Sequence, residues 1–477
     1  MKPLVKVLSD EDISRIHQSS LTILSKIGMF LPSEEVRDLL GQAGAEASGK
    51  DSIRIPESLI ERAIRSVPTR KDVILYGRDP KHDMVFEPQE PKLACMTMAT
   101  SVIDPDSGEK RPATNEDLAR LTRLADSLAN VEVNGGLITP QDVPGGVNDW
   151  YTWATCLKNT TKHITGGVLG ARGVRDAIKM AAVAVGDEAL FLRRPSISGW
   201  VLTLPPLGID EDSLEALVEL SRWKIPAMVS SGPILGVTSP VTIAGTVGQA
   251  HAEILACLVV SQLVNPGTPF VYTSFARSMD MRTGSVSMAS PEFAILKVAM
   301  AQMGRLLDLP IRMPGMLRDA KLLDAQAGFE TGMVSVLTGL VADLMDGMQL
   351  DSDLVVDYAD LVFCDDCMGA VKRVARSLEV DEATLALDVI EEIGQRGTFL
   401  THGHTVKRFR NELWQAGLME RRNWDQWAEE GCRSIREVAL QRVKETLRVE
   451  QKPLLSVEAE AEIDAIVDRA RTKFKRP

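Results

Sequence analysis

Short β-like runs alternating with helical stretches between residues 129 and 370 predict an α/β fold, a (β/α)8 TIM-type barrel. Such alternation implies parallel strands joined by right-handed crossovers. About eight such units in ~250 residues is the length a closed barrel needs. An open doubly wound sheet is disfavoured, because no G-x-G-x-x-G follows an early strand. Residues 1–128 read as an N-terminal helical and short-strand extension packed on the barrel, and residues 371–477 as a C-terminal helical extension.

Each element has a local reason. Ser9-Asp10-Glu11-Asp12 caps a first helix with an apolar stripe at Ile13, Ile16, Leu21, Leu24 and Ile27, stopped by Gly28. Pro32-Ser33-Glu34-Glu35 starts a second helix, and Ile55-Pro56 a third. Strand-like pieces follow at 73–76, 84–86 and 101–104, the last closed by the turn Pro105-Asp106-Ser107-Gly108. Thr114-Asn115-Glu116-Asp117 caps the next helix. The expected barrel strands are 131–133, 163–166, 196–200, 227–230, 270–274, 311–313, 344–348 and an eighth near 361–364. Helices are expected at 173–185, 211–223, 242–263, 291–307 and 325–341. Beyond Gly369 the chain reads as charged helices carrying Trp414, Trp424 and Trp427.

Composition narrows function. The chain has 477 residues, and 54 basic against 66 acidic side chains give a net charge of −12, which argues against a nucleic-acid partner. Hydrophobic residues at 44% support a real core. Residues 1–10 show no apolar signal core, and no stretch reads as a bilayer span, so a cytoplasmic protein with no membrane partner is expected. The six cysteines sit mostly among apolar residues, as reduced thiols do.

In such a barrel, reactive groups belong at the C-terminal strand ends and the loops that follow. That rule selects Asn134, Thr139, Thr165, Trp200, Ser230, Ser231, Tyr272, Phe275, Asp280, Arg282, Asp324, Gln326, Glu330, Asp346 and Gln349. Trp200, Tyr272 and Phe275 suit a cage for a quaternary ammonium, whose charge is attracted to ring faces. Packing of the upper barrel layer is the alternative for each ring. Asp324, Glu330 and Asp346 would complement a cation, or else cap helices or pair with arginines. Cys364-x-x-Cys367 and His402-x-His404 contain four zinc-ligand types, so a zinc-dependent methyltransferase or lyase stays open beside a structural role. No G-x-S-x-G elbow, P-loop or H-E-x-x-H occurs.

Longer runs carry a family resemblance. Leu8-Ser9-Asp10-Glu11-Asp12-Ile13, Pro32-Ser33-Glu34-Glu35, Leu75-Tyr76-Gly77-Arg78-Asp79-Pro80, Gly108-Glu109-Lys110-Arg111-Pro112-Ala113-Thr114 and Asp324-Ala325-Gln326-Ala327-Gly328-Phe329-Glu330 resemble the trimethylamine methyltransferase family. So do Gly397-Thr398-Phe399-Leu400, His404-Thr405, Trp414, Arg421, Trp424, Trp427 and Ile463-Asp464-Ala465-Ile466. The resemblance implies a (β/α)8 barrel that moves a methyl group from a methylated amine to the cobalt of a separate corrinoid protein. The chain itself is then expected to hold no permanent cofactor. The family's trimethylamine enzymes carry pyrrolysine; this chain has none, and so looks like the glycine betaine methyltransferase-like members. Such a member leads one to expect a histidine after the strand at Leu344, where Asp346 stands.

Strand-end position and the resemblance together cast Asp346 and Glu330 as orienting polar groups in catalytic roles. Trp200, Tyr272, Phe275, Arg282, Asp324, Gln326 and Gln349 are the expected substrate-binding residues, with Arg282 on a substrate carboxylate. The resemblance further requires a wide mouth able to dock a corrinoid. A betaine-binding regulatory module without turnover is the non-enzymatic alternative, and the Trp-bearing C-terminal helices offer a homo-oligomer interface.

Overall fold

The computed structural model describes residues 5–86, 90–96 and 98–474. Eight parallel strands close into one barrel: β1 (Lys92–Cys95), β2 (Val131–Gly135), β3 (His163–Gly166), β4 (Ile197–Leu202), β5 (Ala227–Ser231), β6 (Phe270–Ser274), β7 (Ile311–Pro314) and β8 (Leu344–Asp346). The helices between and around them are α1 (Asn115–Ser127), α2 (Asn148–Asn159), α3 (Gly170–Val185), α4 (Glu211–Arg222), α5 (Ile243–Val264), α6 (Pro291–Leu306), α7 (Ala325–Gly339) and α8 (Tyr358–Ala375). The expected closed α/β barrel is therefore present.

Two strand expectations need correction. The barrel opens at Lys92–Cys95, earlier than residue 129, and β8 seals it through Leu344↔Lys92 and Met345↔Leu93. The segment expected as an eighth strand, 361–364, lies inside α8, because Asp357 caps the helix by accepting from the Ala359 N–H. A four-residue strand beside Pro91 gives little period-2 signal, and Leu361-Val362-Phe363 reads equally well as buried helix.

Inside the barrel, Ala94, Val133, Met228, Val271 and Leu344 pack with Val73, Leu75, Met84 and Phe86. The latter four come from or flank an antiparallel ribbon pairing Ile74–Leu75 with Met84–Val85. The ribbon lies under the N-terminal strand ends, where the Tyr76 carbonyl meets His163 Nδ1 at 2.9 Å. Burying such side chains stabilises by roughly 1.5–3 kcal/mol each, so the ribbon is a firm floor. His163 Nε2 lies 2.9 Å from Ser198 Oγ. The carbonyl needs a donor, so Nδ1 carries the proton and Nε2 accepts from the serine. Burial pushes this imidazole down to about 4.

α5 also departs from expectation. It is 22 residues long with a mean hydropathy of 1.5 over its most apolar window, enough by length and composition to cross a membrane. That window is 83% buried by its neighbours, the N-terminal helix Asp10–Lys26 among them, so it serves here as an interior helix. Ser9 caps that N-terminal helix in a reciprocal box with Asp12, and Thr114 caps α1 the same way with Asp117, as their spacing predicts. At the C-terminus, Ile435–Arg448 packs on α8, and Val457–Phe474 on α2 and α3. Within the charged helical stretch expected beyond Gly369, the first part forms two short pieces, Glu382–Leu385 and Leu387–Ile393, separated by Ala386 at φ 49°.

Candidate active site

Above the apolar floor, the inward residues turn polar toward the C-terminal strand ends. Trp200 from β4, Ser230 from β5, Arg312 from β7 and Asp346 from β8 line one cavity with Met96, Leu202, Phe275, Leu317, Gly347 and Gln349. Its volume is about 80 Å³. One water takes roughly 10–15 Å³ on this measure, so the cavity suits a molecule of about six to eight heavy atoms. Larger hollows, of about 570 and 810 Å³, are open and charged grooves on the outer surface, beside α3 and after α8. None of their lining residues carries a buried side-chain polar atom lacking a partner among the described residues.

The mouth cavity differs sharply in that respect. Asp346 Oδ1, both Gln349 amide atoms, Ser230 Oγ and Arg312 Nε are buried without a hydrogen-bond partner. Their residues are between 0% and 7% exposed. Buried polar groups are normally satisfied, so five open atoms around one cavity point to a polar ligand. Asp346 Oδ2 and Arg312 Nη2 form an ion pair. Burial raises the Asp346 carboxyl, and Arg312 opposes it by favouring the charged form. We take the carboxylate as ionised, since the guanidinium is bonded to it. Gly347 is at φ 91°, and a Cβ there would meet Leu317 at 2.6 Å, so only glycine permits the turn from Asp346 to Gln349.

The aromatic walls are already engaged. Trp200 Nε1 donates to Thr165 Oγ1 at 2.9 Å, and the Arg312 guanidinium lies 5.8 Å from its ring centroid. The Arg277 guanidinium lies 5.2 Å from the Phe275 centroid. Lys297 of α6 is fully buried and donates to the Ser274 and Ala276 carbonyls at 2.9 and 2.8 Å, fixing the turn that presents Phe275. Burial, aided by the nearby Arg277, pulls this amine well below its ordinary range.

Of the residues expected from sequence, Trp200, Phe275, Asp346 and Gln349 line the cavity. The others stand elsewhere. Tyr272 points outward from β6: its hydroxyl is 2.9 Å from His251 Nδ1 on α5, and its ring packs on Gly304 of α6. Strand alternation makes Val271 and Thr273 the inward neighbours. Arg282 is exposed and pairs with Asp280 in the hairpin beyond β6. Asp324 caps α7 through the Gln326 and Ala327 N–H groups. Gln326 donates to Glu330, and Glu330 accepts from the Asp319 and Ala320 N–H groups, bracing a loop. The cavity itself is too small to admit a tetrapyrrole.

The zinc arrangement does not assemble. Cys364 and Cys367 lie within α8, where burial pushes both thiols up, Cys367 to about 12. Arg318 Nη1 donates to Cys364 Sγ at 3.1 Å. His402 instead caps the helix Gly403–Glu412 and faces Glu392. Among the described residues no three His, Cys, Asp or Glu side chains gather as metal ligands. The chief residue sequence reasoning missed is Arg312, signalled only by one charge inside the apolar strand Ile311-Arg312-Met313-Pro314.

Comparison with known proteins agrees with this architecture. Residues 1–475 match the family model described as trimethylamine methyltransferase (MTTB). The chain is 30% identical over 469 residues to trimethylamine methyltransferase MttB of Desulfitobacterium hafniense strain DCB-2, covering 98% of this chain and 94% of that one. It is also 30% identical over 469 residues to a glycine betaine methyltransferase of Desulfitobacterium hafniense strain Y51, covering 98% and 97%. Trimethylamine methyltransferase MttB of Methanosarcina barkeri is 27% identical over 481 residues, covering 99% and 96%. A full-length family match and relatives aligned nearly end to end lead to one conclusion: the chain is a methyltransferase that belongs to the trimethylamine methyltransferase family.

Proposed function

We propose that this methyltransferase transfers a methyl group from a small, betaine-like methylated amine to a corrinoid carried by a partner protein. The observation that carries the reading is the mouth cavity, lined by the Arg312–Asp346 ion pair together with Gln349 and Ser230, whose buried amide and hydroxyl atoms, like Arg312 Nε, lack partners. A methylammonium beside Asp346 and a carboxylate against those donors match that charge pattern. Arg312 takes the carboxylate role that Arg282, in its exposed hairpin, does not fill. When docked, the corrinoid supplies a low-valent cobalt as the nucleophile.

The chain's own residues then have positioning work. Asp346 and the walls of Trp200 and Phe275 hold the nitrogen end, and Arg312 fixes the other end, so one N-methyl faces outward. The apolar floor keeps water from the site. A positively charged nitrogen departs as a neutral amine, so no side chain must attack, and none of the lining residues is a strong nucleophile. The corrin ring must lie over the rim, since the cavity admits only the small substrate. The test is methyl transfer from a panel of methylated amines to reduced cobalamin or a purified corrinoid protein, followed by the cobalt spectrum. Amine-dependent formation of methylcobalamin is expected; none with any methylated amine would refute the reading.

A further inference from the structure

Two features of the cavity constrain the substrate beyond a methylated nitrogen and a carboxylate. The first is the condition of the aromatic rings. A quaternary ammonium, with no N–H, is best held by free ring faces. Here Tyr272 faces α6 and α5, while Trp200 and Phe275 each carry an arginine against the ring. The second is an excess of acceptors. Asp346 Oδ1 and the Gln349 carboxamide oxygen are both buried without a partner, on residues that line the cavity. A trimethylammonium group and a carboxylate offer neither of them a polar hydrogen. Leaving a buried acceptor unmatched costs its desolvation, and more so for a charged one.

We propose that the preferred substrate carries an N–H or O–H donor close to the methylated nitrogen, and that Asp346 Oδ1 accepts it. The inference rests on the methyl-transfer reading above and names the substrate class of that same site. Two sources share this chemistry: a protonated tertiary amine, with its N–H, and a quaternary amine bearing a hydroxyl. Both balance. The C–N bond breaks, its electron pair stays on nitrogen, and the methyl forms its new bond to the cobalt nucleophile. A protonated tertiary amine leaves as a neutral secondary amine that keeps its hydrogen; a hydroxylated quaternary amine leaves as a neutral tertiary one. A carboxylate accepts from such a donor with charge assistance, so an ionised Asp346 suits this reading.

The experiment measures binding by calorimetry, and methyl transfer to reduced cobalamin, for three probes. Glycine betaine has no donor, N,N-dimethylglycine has an N–H, and a hydroxylated betaine has an O–H. At least one donor-bearing probe is expected to bind tenfold or more tightly than glycine betaine, and which one identifies the source. The preference is expected to vanish in Asp346→Leu and to survive in part in Asp346→Asn, which keeps an acceptor oxygen. Equal or tighter binding of glycine betaine by the native protein overturns the proposal, whatever the variants do. Methyl transfer from none of the three, with binding preference for a donor intact, would defeat the function reading while leaving the donor assignment standing.

Discussion

Among the described residues two arginine–aspartate pairs are buried on both sides, and they serve opposite ends. Arg312–Asp346 joins the C-terminal ends of β7 and β8 in the wall of a cavity, and Arg312 Nε and Asp346 Oδ1 are left without partners there. Arg318–Asp360 ties the loop after β7 to α8. Arg318 donates to Thr331, Cys364, Asp360 and the Gln349 carbonyl, and both of its partners in the pair are fully buried. Asp360 also leaves one oxygen unmatched, yet it does not line the mouth cavity. Burial and charge are thus common to both pairs. What separates them is spare hydrogen-bonding capacity on both partners together with room for a ligand.

The largest effect should come from breaking the sealed pair. Arg318→Met strands Asp360 in the interior and is expected to cost about 3–5 kcal/mol of stability. Urea unfolding should show it, with kcat of the remaining folded enzyme unchanged. Arg312→Met strands the buried Asp346 and should lose stability too, but it should also reach the substrate. It should weaken carboxylate-bearing substrates by about 2–5 kcal/mol, visible chiefly in kcat/KM. If both variants lose stability alike and neither loses substrate affinity, the contrast between the pairs fails.

A fully satisfied polar group at the barrel floor sharpens the comparison. His163 and His251 are buried and neutral, pushed down by burial to about 4 and about 3. Unfolded histidine titrates near 6.5, so the unfolded chain takes up protons first as pH falls. Stability should be complete above about pH 6.5 and decline toward pH 4, with His163 contributing on the order of 3 kcal/mol. Thermal melts across that window test it, and His163→Gln should flatten the decline. The smallest effect is also the most diagnostic. Gln349→Leu removes two unpartnered buried polar atoms and should raise stability by about 1 kcal/mol while lowering substrate affinity. A destabilised Gln349→Leu would mean that the amide serves the fold.

Much of the barrel was legible because most strands from β2 to β8 carry short apolar or β-branched stretches bounded by turns and alternate with helices, as in Phe270–Ser274. β1 escaped notice because four residues carry little pattern, and 361–364 misled because helix and strand share short apolar runs. At the site, strand-end position found Asp346, Gln349, Trp200 and Phe275. It overreached at Tyr272, where strand parity decides, and at Asp324 and Glu330, whose oxygens go to backbone N–H groups. Arg312 went unseen because nothing local tells an inward arginine from an outward one. Only the parallel pairing of β7 with β8 brings it to Asp346.

The ribbon beneath the strands carries one last consequence. With Val73, Leu75, Met84 and Phe86 stoppering the lower end, the chamber is a cul-de-sac. On the proposed function, incoming amine, docking metal and spent amine would all use the upper end. Traffic would then be sequential: the visitor carrying the metal would have to lift away before the demethylated remnant escapes, and turnover would run no faster than that undocking.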